Sequence, residues 1–303
     1  MKRNVLSVLD LSEDINDVLD LAANLKRKND KSGQQLKGQT LAMIFEKSST
    51  RTRVSFEVGM LQLGGNTIYL SQKDTQLGRG ETIGDTAKVL SRYVDGIVYR
   101  AFSHDNMTEL AKRSSVPVIN ALDDQEHPCQ IMADLQTIKE HKNGLAGLKL
   151  AYIGDGNNVC NSLMLGAALV GMDCVAATPV EYRPNAAIAK KAASIAKGNK
   201  STVKVTADPE KAAAGADIIY TDTWVSMGQE CDADRKEKLL GPYRVDKGLF
   251  SKAKRDCIFM HCLPAHRGSE VTEDIIDGKH SVIFDQAENR LHAQKAILVT
   301  LMG

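Results

Sequence analysis

Two α/β domains, each a parallel sheet flanked by helices, are what this sequence predicts. Three observations carry that prediction. Short β-rich apolar runs alternate with longer helical patterns through the whole length. The 303 residues, 43% apolar and 25% charged, have the composition of a soluble globular protein and suffice for two ordinary domains. A polar, glycine-containing break at residues 141–147 divides the pattern near its middle.

In the first half the strand candidates are residues 41–45, 67–70, 96–99 and 116–119, and residues 53–63, 82–93 and 105–112 between them carry apolar positions at helical spacing. In the second half the strand candidates are residues 149–153, 173–177, 202–205, 217–221, 257–260 and 282–284. The break gives a first domain over residues 1–140 and a second over 141–285, expected to face each other across a cleft. Residues 224–243 form a long, charged stretch punctuated by Gly and Pro, and a loop of that size in a compact fold is usually functional or mobile.

Charge and cysteine content narrow the function classes. Thirty-nine basic against 38 acidic residues leave a net charge of +1, so nothing in the overall balance draws the chain to nucleic acid or to an anionic membrane. Any anion site must be local. The longest basic cluster, residues 26–31, is interrupted by Asn29 and Asp30 and reads as a solvated face. Six cysteines without CxxC spacing suit reduced thiols, and no run of about 18 apolar residues occurs. The expectation is a cytoplasmic protein.

The most informative segment is EKSSTRTR at residues 46–53, set between a strand and a helix. A helix start offers unpaired N–H groups at the positive end of the dipole, which favours an anion. The hydroxyls of Ser49, Thr50 and Thr52 add donors, and Arg51 adds a planar fork for phosphate oxygens. A plain N-cap also accounts for the Ser and Thr residues. It does not account for Arg51 and Arg53, two like charges at the positive helix end.

Arg100 directly follows a strand, and charged groups at the carboxyl ends of parallel strands are where α/β proteins place ligands. A lone Arg there fits a surface residue equally well. In His127-Pro128-Cys129-Gln130, Pro128 suits the first position of a helix. His127 then sits at the helix start, as a neutral hydrogen-bond donor or as a capping histidine.

The run FEKSSTRTRVSFE resembles the carbamoyl phosphate motif of the aspartate and ornithine carbamoyltransferases, with Ser48 where that family often has Pro. HPCQ resembles the family's His-Pro-x-Gln, which implies that His127 and Gln130 contact the carbamoyl group. The loop at residues 72–82, with Gln76, resembles a family loop that reaches carbamoyl phosphate from a neighbouring subunit, and implies a homo-oligomer, a trimer or an assembly of trimers.

Three segments of the second half bear on the co-substrate. Gly154-Asp155-Gly156-Asn157-Asn158 begins like a dinucleotide fingerprint, but Val159 stands where the third glycine belongs, which disfavours a nicotinamide enzyme. Asn158 can instead offer an amide to an amino-acid carboxylate. Asp222, before Thr223-Trp224-Val225-Ser226-Met227-Gly228, follows a strand and suits a cationic α-amino group, although a loop Asp also caps or faces solvent. In His261-Cys262-Leu263-Pro264-Ala265-His266-Arg267-Gly268 two His and one Cys raise a zinc hypothesis, but no further Cys or His lies close enough in sequence to close a four-ligand set. Cys262 also fits an inert buried thiol.

DxxxSMG and HCLP resemble the ornithine branch of the family specifically. The resemblance runs from about Leu36 to the C terminus, with Arg290 at the branch's second-domain arginine. It implies a helix over residues 286–303 returning to the first domain, and neither cofactor nor metal. It implies that Ser49, Thr50, Arg51, Thr52, Gln76, Arg100, His127, Gln130, Cys262, Leu263 and Arg290 bind carbamoyl phosphate. Asn158, Asp222, Ser226 and Met227 then hold L-ornithine, and Arg51, Arg100, His127 and Cys262 serve catalysis. Aspartate, putrescine or N-acetylornithine are the competing acceptors, and a nucleotide-binding oxidoreductase or a noncatalytic anion-binding protein are the alternatives outside the class.

Overall fold

The computed structural model describes residues 2–28, 31–72, 75–76, 80–225 and 230–303. The chain divides into two compact units, Met1–Gln136 with Glu288–Gly303, and Thr137–Ala287. The divisions fall inside two helices, α5 and α12 as numbered below.

The first unit alternates α1 (Ile15–Lys28), β1 (Thr40–Phe45), α2 (Thr50–Gln62), β2 (Asn66–Ser71), α3 (Ile83–Leu90), β3 (Gly96–Arg100), α4 (His104–Arg113), β4 (Val118–Leu122) and α5 (Pro128–Lys142). Its strands pair in parallel in the order β2-β1-β3-β4. Five of the six β1 residues are buried, the pattern of a strand covered on both faces. Ala42, Ile44, Ile97 and Tyr99 pack there with Met107 and Leu110 of α4.

The second unit runs β5 (Lys149–Ile153), α6 (Asn158–Leu169), β6 (Asp173–Ala177), α7 (Ala186–Gly198), β7 (Val203–Thr206), α8 (Pro209–Ala213), β8 (Ile218–Thr221), α9 (Ala233–Leu240), α10 (Lys247–Phe250), β9 (Ile258–His261) and α11 (Glu273–Ile276), followed by α12 (Ile283–Met302). Its sheet is also parallel, in the order β7-β6-β5-β8-β9. No helix among the described residues is long and apolar enough to cross a membrane.

Each sheet has a point where strand order reverses, between β1 and β3 in one and between β5 and β8 in the other. Loops leaving the carboxyl ends of those strands form the crevice where such sheets bind ligands. Those loops carry Glu46 to Ser49 and, directly after Arg100 at the end of β3, Ala101 to Ser103 in the first unit, and Gly154 to Asn157 and Asp222 to Val225 in the second.

Several boundaries differ from the sequence expectation. Residues 282–284 are not a strand: Ile283 and Phe284 open α12, and only an isolated bridge joins Phe259 to Ser281. Three consecutive apolar residues fit a strand or a buried helix start alike, and Asp285 in the first turn favours the helix. Residues 224–243 are not one loop. Trp224 is buried, and the described remainder holds a 3-10 turn, Glu230–Asp232, then α9, built from good helix formers, and a second turn, Gly241–Tyr243. β4 starts at Val118 because Pro117 has no N–H to give the ladder.

Candidate active site

α2 begins at Thr50, three residues earlier than expected, so Thr50, Arg51 and Thr52 occupy its first turn. Ser49 is the N-cap, with extended backbone and its Oγ accepting the Thr52 N–H at 3.3 Å. Thr50 is exposed, Arg51 half-buried and Thr52 fully buried. No side-chain hydrogen bond or ion pair engages Arg51 among the described residues. Arg53 is different: its Nε meets Glu57 at 2.9 Å and its guanidinium lies 3.8 Å from the centre of the Tyr69 ring. Only one of the two arginines therefore matches the argument for an anion.

Arg290, brought in by α12, donates from Nη2 to Thr52 Oγ1 at 2.7 Å. Arg290, Arg100 at the end of β3 and His127 before α5 are all buried. Burial, then the positive charges of Arg290 and Arg100, hold the His127 imidazole well below its ordinary range, so it is neutral. Gln130, fully buried, donates from Nε2 to Asp134 at 2.9 Å, which directs its carbonyl oxygen toward the role of acceptor. Thr52, Arg100, His127 and Arg290 thus join in one cluster.

Lys47 is a further cation beside this cluster, not among the residues expected from the sequence. It is half-buried, with Nζ 4.8 Å from the centre of the Phe102 ring, and burial followed by the nearby Arg100 lowers its pKa. Its adjacency to the Ser/Thr/Arg run was the available signal. Gln76 is exposed, its backbone carbonyl accepting from Glu81, and no side-chain contact among the described residues joins it to the cluster. The rest of its loop at 73–74 and 77–79 lies outside the described residues.

In the second unit Asp222, buried at the end of β8, is the centre of a polar network. Its Oδ2 accepts from Asn157 Nδ2 at 2.7 Å, and its Oδ1 accepts from the Thr223 N–H at 2.8 Å and the Cys262 thiol at 3.0 Å. Asn157 also caps α6, its Oδ1 accepting from Val159 N and Cys160 N. The residue expected from the sequence is its neighbour, Asn158. That residue is half-buried in the first turn of α6, with its own Oδ1 accepting from Val159 N at 2.9 Å. An Asn directly before a helix is a signal that could have marked Asn157. Ser226 and Met227 lie outside the described residues.

Cys262 stands apart from the four buried thiols. Burial pushes Cys129, Cys174 and Cys257 up to about 12 and Cys160 well above the usual range, so these are inert, whereas Cys262 is half-buried beside Asp222. Leu263 adopts a left-handed backbone, φ 60°, and gives its N–H to His261 Nδ1 at 2.9 Å. His261 Nε2 lies 3.2 Å from Glu270 Oε1. An Nδ1 that accepts places the proton on Nε2, which donates to Glu270. Ligand atoms of Asp222, His261 and Cys262 lie within 4.8 Å of one another, but a metal would have to break one of these His261 bonds.

The first cluster can hold a phosphate and donate to a carbonyl oxygen; the second can hold a cationic amine. Residues 3–140 match the family model for the carbamoyl-P binding domain of aspartate/ornithine carbamoyltransferase, and residues 146–301 match that for its Asp/Orn binding domain. The ornithine carbamoyltransferase of Carboxydothermus hydrogenoformans is 57% identical over 99% of this chain and 98% of its own length. The catabolic ornithine carbamoyltransferase of Thermoplasma volcanium is 54% identical over 100% of this chain and 99% of its own. The solved structure of ornithine carbamoyltransferase from Pyrococcus furiosus superposes with a TM-score of 0.96 at 52% identity, covering 99% of this chain and 97% of that one. The chain belongs to the aspartate/ornithine carbamoyltransferase family.

Proposed function

We propose that this chain transfers the carbamoyl group of carbamoyl phosphate to the δ-amine of L-ornithine, giving L-citrulline and phosphate. The observation that carries this is the buried cluster of Thr52, Arg100, His127 and Arg290, which combines guanidinium charge for a phosphate with a neutral imidazole for a carbonyl oxygen. The names of the relatives, at 54 to 57% identity over nearly the whole chain, support ornithine as acceptor.

In this mechanism Ser49, Thr50, Arg51, Thr52 and Arg290 neutralise the phosphate and make it a better leaving group. Arg100 spans phosphate and carbonyl. The neutral amine attacks the carbonyl carbon, and the tetrahedral oxyanion takes hydrogen bonds from His127 and Thr52. Gln130, its Nε2 held by Asp134, accepts from the carbamoyl nitrogen. Asp222 pairs with the α-ammonium of ornithine, Asn158, Ser226 and Met227 complete the amino-acid site, and Cys262 with the Leu263 carbonyl flanks the δ-amine. No covalent intermediate and no cofactor is needed; positioning supplies much of the acceleration.

The donor then belongs to the domain of residues 1–140, the acceptor to residues 141–285, and residues 286–303 return Arg290 to the donor side. We place the enzyme in the cytoplasm as a trimer or an assembly of trimers, with Gln76 serving a neighbouring subunit. It acts in arginine biosynthesis, or in reverse in arginine catabolism. Two substitutions separate the halves. Arg51→Gln weakens carbamoyl phosphate binding by roughly 100-fold through loss of a charge-assisted fork, and Asp222→Asn does the same to ornithine alone. Wild-type kinetics in either variant contradict the corresponding half.

A further inference from the structure

The loop after β5 holds both ends of the segment that runs from Asp222 to Lys236. Asp155 and Asn157 stand two residues apart on that loop. Asn157 grips Asp222 at 2.7 Å, and Lys236 on α9 donates from Nζ to Asp155 Oδ2 at 2.6 Å. The side chains of this ion pair are only 4% and 8% exposed. Lys236 Nζ also lies 5.2 Å from the centre of the Tyr182 ring, and the Tyr182 hydroxyl donates to Asp232 at 2.7 Å, just before α9. The loop itself is held by the Tyr152 hydroxyl, which donates to the Asp155 carbonyl at 2.6 Å, and by the Gly156 N–H, which donates to the Tyr182 carbonyl at 2.8 Å.

A buried Lys–Asp pair is a costly way to hold a helix in place. Apolar side chains of the same volume often stabilise as well or better, because both charges must leave water. Burial raises the Asp155 pKa, and Lys236 opposes that shift. What the ion pair adds over an apolar contact is a fixed direction: it sets where Asp155 sits, and Asp155 sets where Asn157 meets Asp222.

We infer that Lys236 and Asp155 are positioning residues for amine recognition, their buried ion pair fixing the loop whose Asn157 orients Asp222. The inference rests on the proposed role of Asp222 toward ornithine. Every residue of the network belongs to Thr137–Ala287, which makes carbamoyl phosphate affinity an internal control.

The test is steady-state kinetics for both substrates, with thermal melts, on Lys236→Met, Lys236→Arg and the double variant Asp155→Asn/Lys236→Met. Lys236→Met raises the ornithine KM about tenfold and leaves the carbamoyl phosphate KM within about twofold, and Lys236→Arg recovers most of the loss. The double variant, with no unmatched buried charge, regains thermal stability and keeps the raised ornithine KM. If instead it binds ornithine as wild type does, or both KM values rise together, the pair is merely structural and the inference falls. A wild-type enzyme that carbamoylates no ornithine would overturn the proposed function, and this inference with it.

Discussion

At the residue scale, the protonation of His127 decides what the donor cluster can do. An imidazolium beside Arg100 and Arg290 would add a third buried positive charge, and burial with those two charges keeps the ring neutral instead. The folded value lies below the ordinary 6.5, so the unfolded chain binds this proton first as pH falls. Stability from this group is present above 6.5 and declines as pH drops from there toward the folded value. For catalysis, His127 contributes no inflection near 6.5, and the δ-amine, with an ordinary pKa of about 10.4, governs the profile. The expected kcat/KM for ornithine rises nearly tenfold per unit between about pH 6 and 8. A plateau across that range would contradict it. Cys262→Ala removes one donor to Asp222, and lowers ornithine affinity or turnover while carbamoyl phosphate binding stays within about twofold; loss of both together would indicate misfolding.

Residue type and neighbours in sequence were enough to bring out Ser49 to Thr52, Arg100, His127 and Asp222. For Asn157 and Lys47 they offered only weak signals, a place directly before a helix and a place beside the Ser/Thr/Arg run, and the significance of both lies in what they meet after folding. Arg290 and Thr52 are separated by 238 residues, and no local pattern relates them. Family resemblance, not spacing, placed Arg290 among the candidates.

At the level of elements, the loop after β5 explains why Gly154-Asp155-Gly156-Asn157 looks like a nucleotide fingerprint without serving one. A Cβ on Gly156 would lie 2.2 Å from Pro184 N and 2.5 Å from the Tyr182 carbonyl oxygen, so the glycine admits a neighbouring backbone rather than a pyrophosphate. Gly156→Ala is therefore expected to destabilise by about 3 kcal/mol in chemical denaturation and to weaken ornithine binding. An unchanged unfolding midpoint would contradict this. Helices and strands with strong periodicity were legible, with ends shifted by a few residues. The failures came where local signals conflict: the apolar triplet at 282–284 fits two structures, and the polar helix α9 looks like a charged loop until Lys236 and Leu240 are seen to be buried.

For the whole molecule, alternating strands and helices foretold two parallel sheets, but not their strand order. Order depends on which side of β1 or β5 each crossover returns to, and right-handed crossovers constrain that choice without writing it into any one segment. Once formed, the two reversals place the Ser/Thr/Arg turn beside Arg100 in one sheet, and Asn157 beside Asp222 in the other. Chemistry-bearing residues scattered through the sequence thereby collect at the carboxyl ends of strands.

The most direct measurement is carbamoyl transfer from carbamoyl phosphate with ornithine, aspartate, putrescine and N-acetylornithine compared as acceptors. The proposed pairing of Asp222 with a free α-ammonium disfavours putrescine and N-acetylornithine, and aspartate has no δ-amine to attack, so ornithine is predicted to exceed the other three by roughly 100-fold or more in kcat/KM. No citrulline from ornithine, or equal turnover with any of the other three, would contradict the assignment.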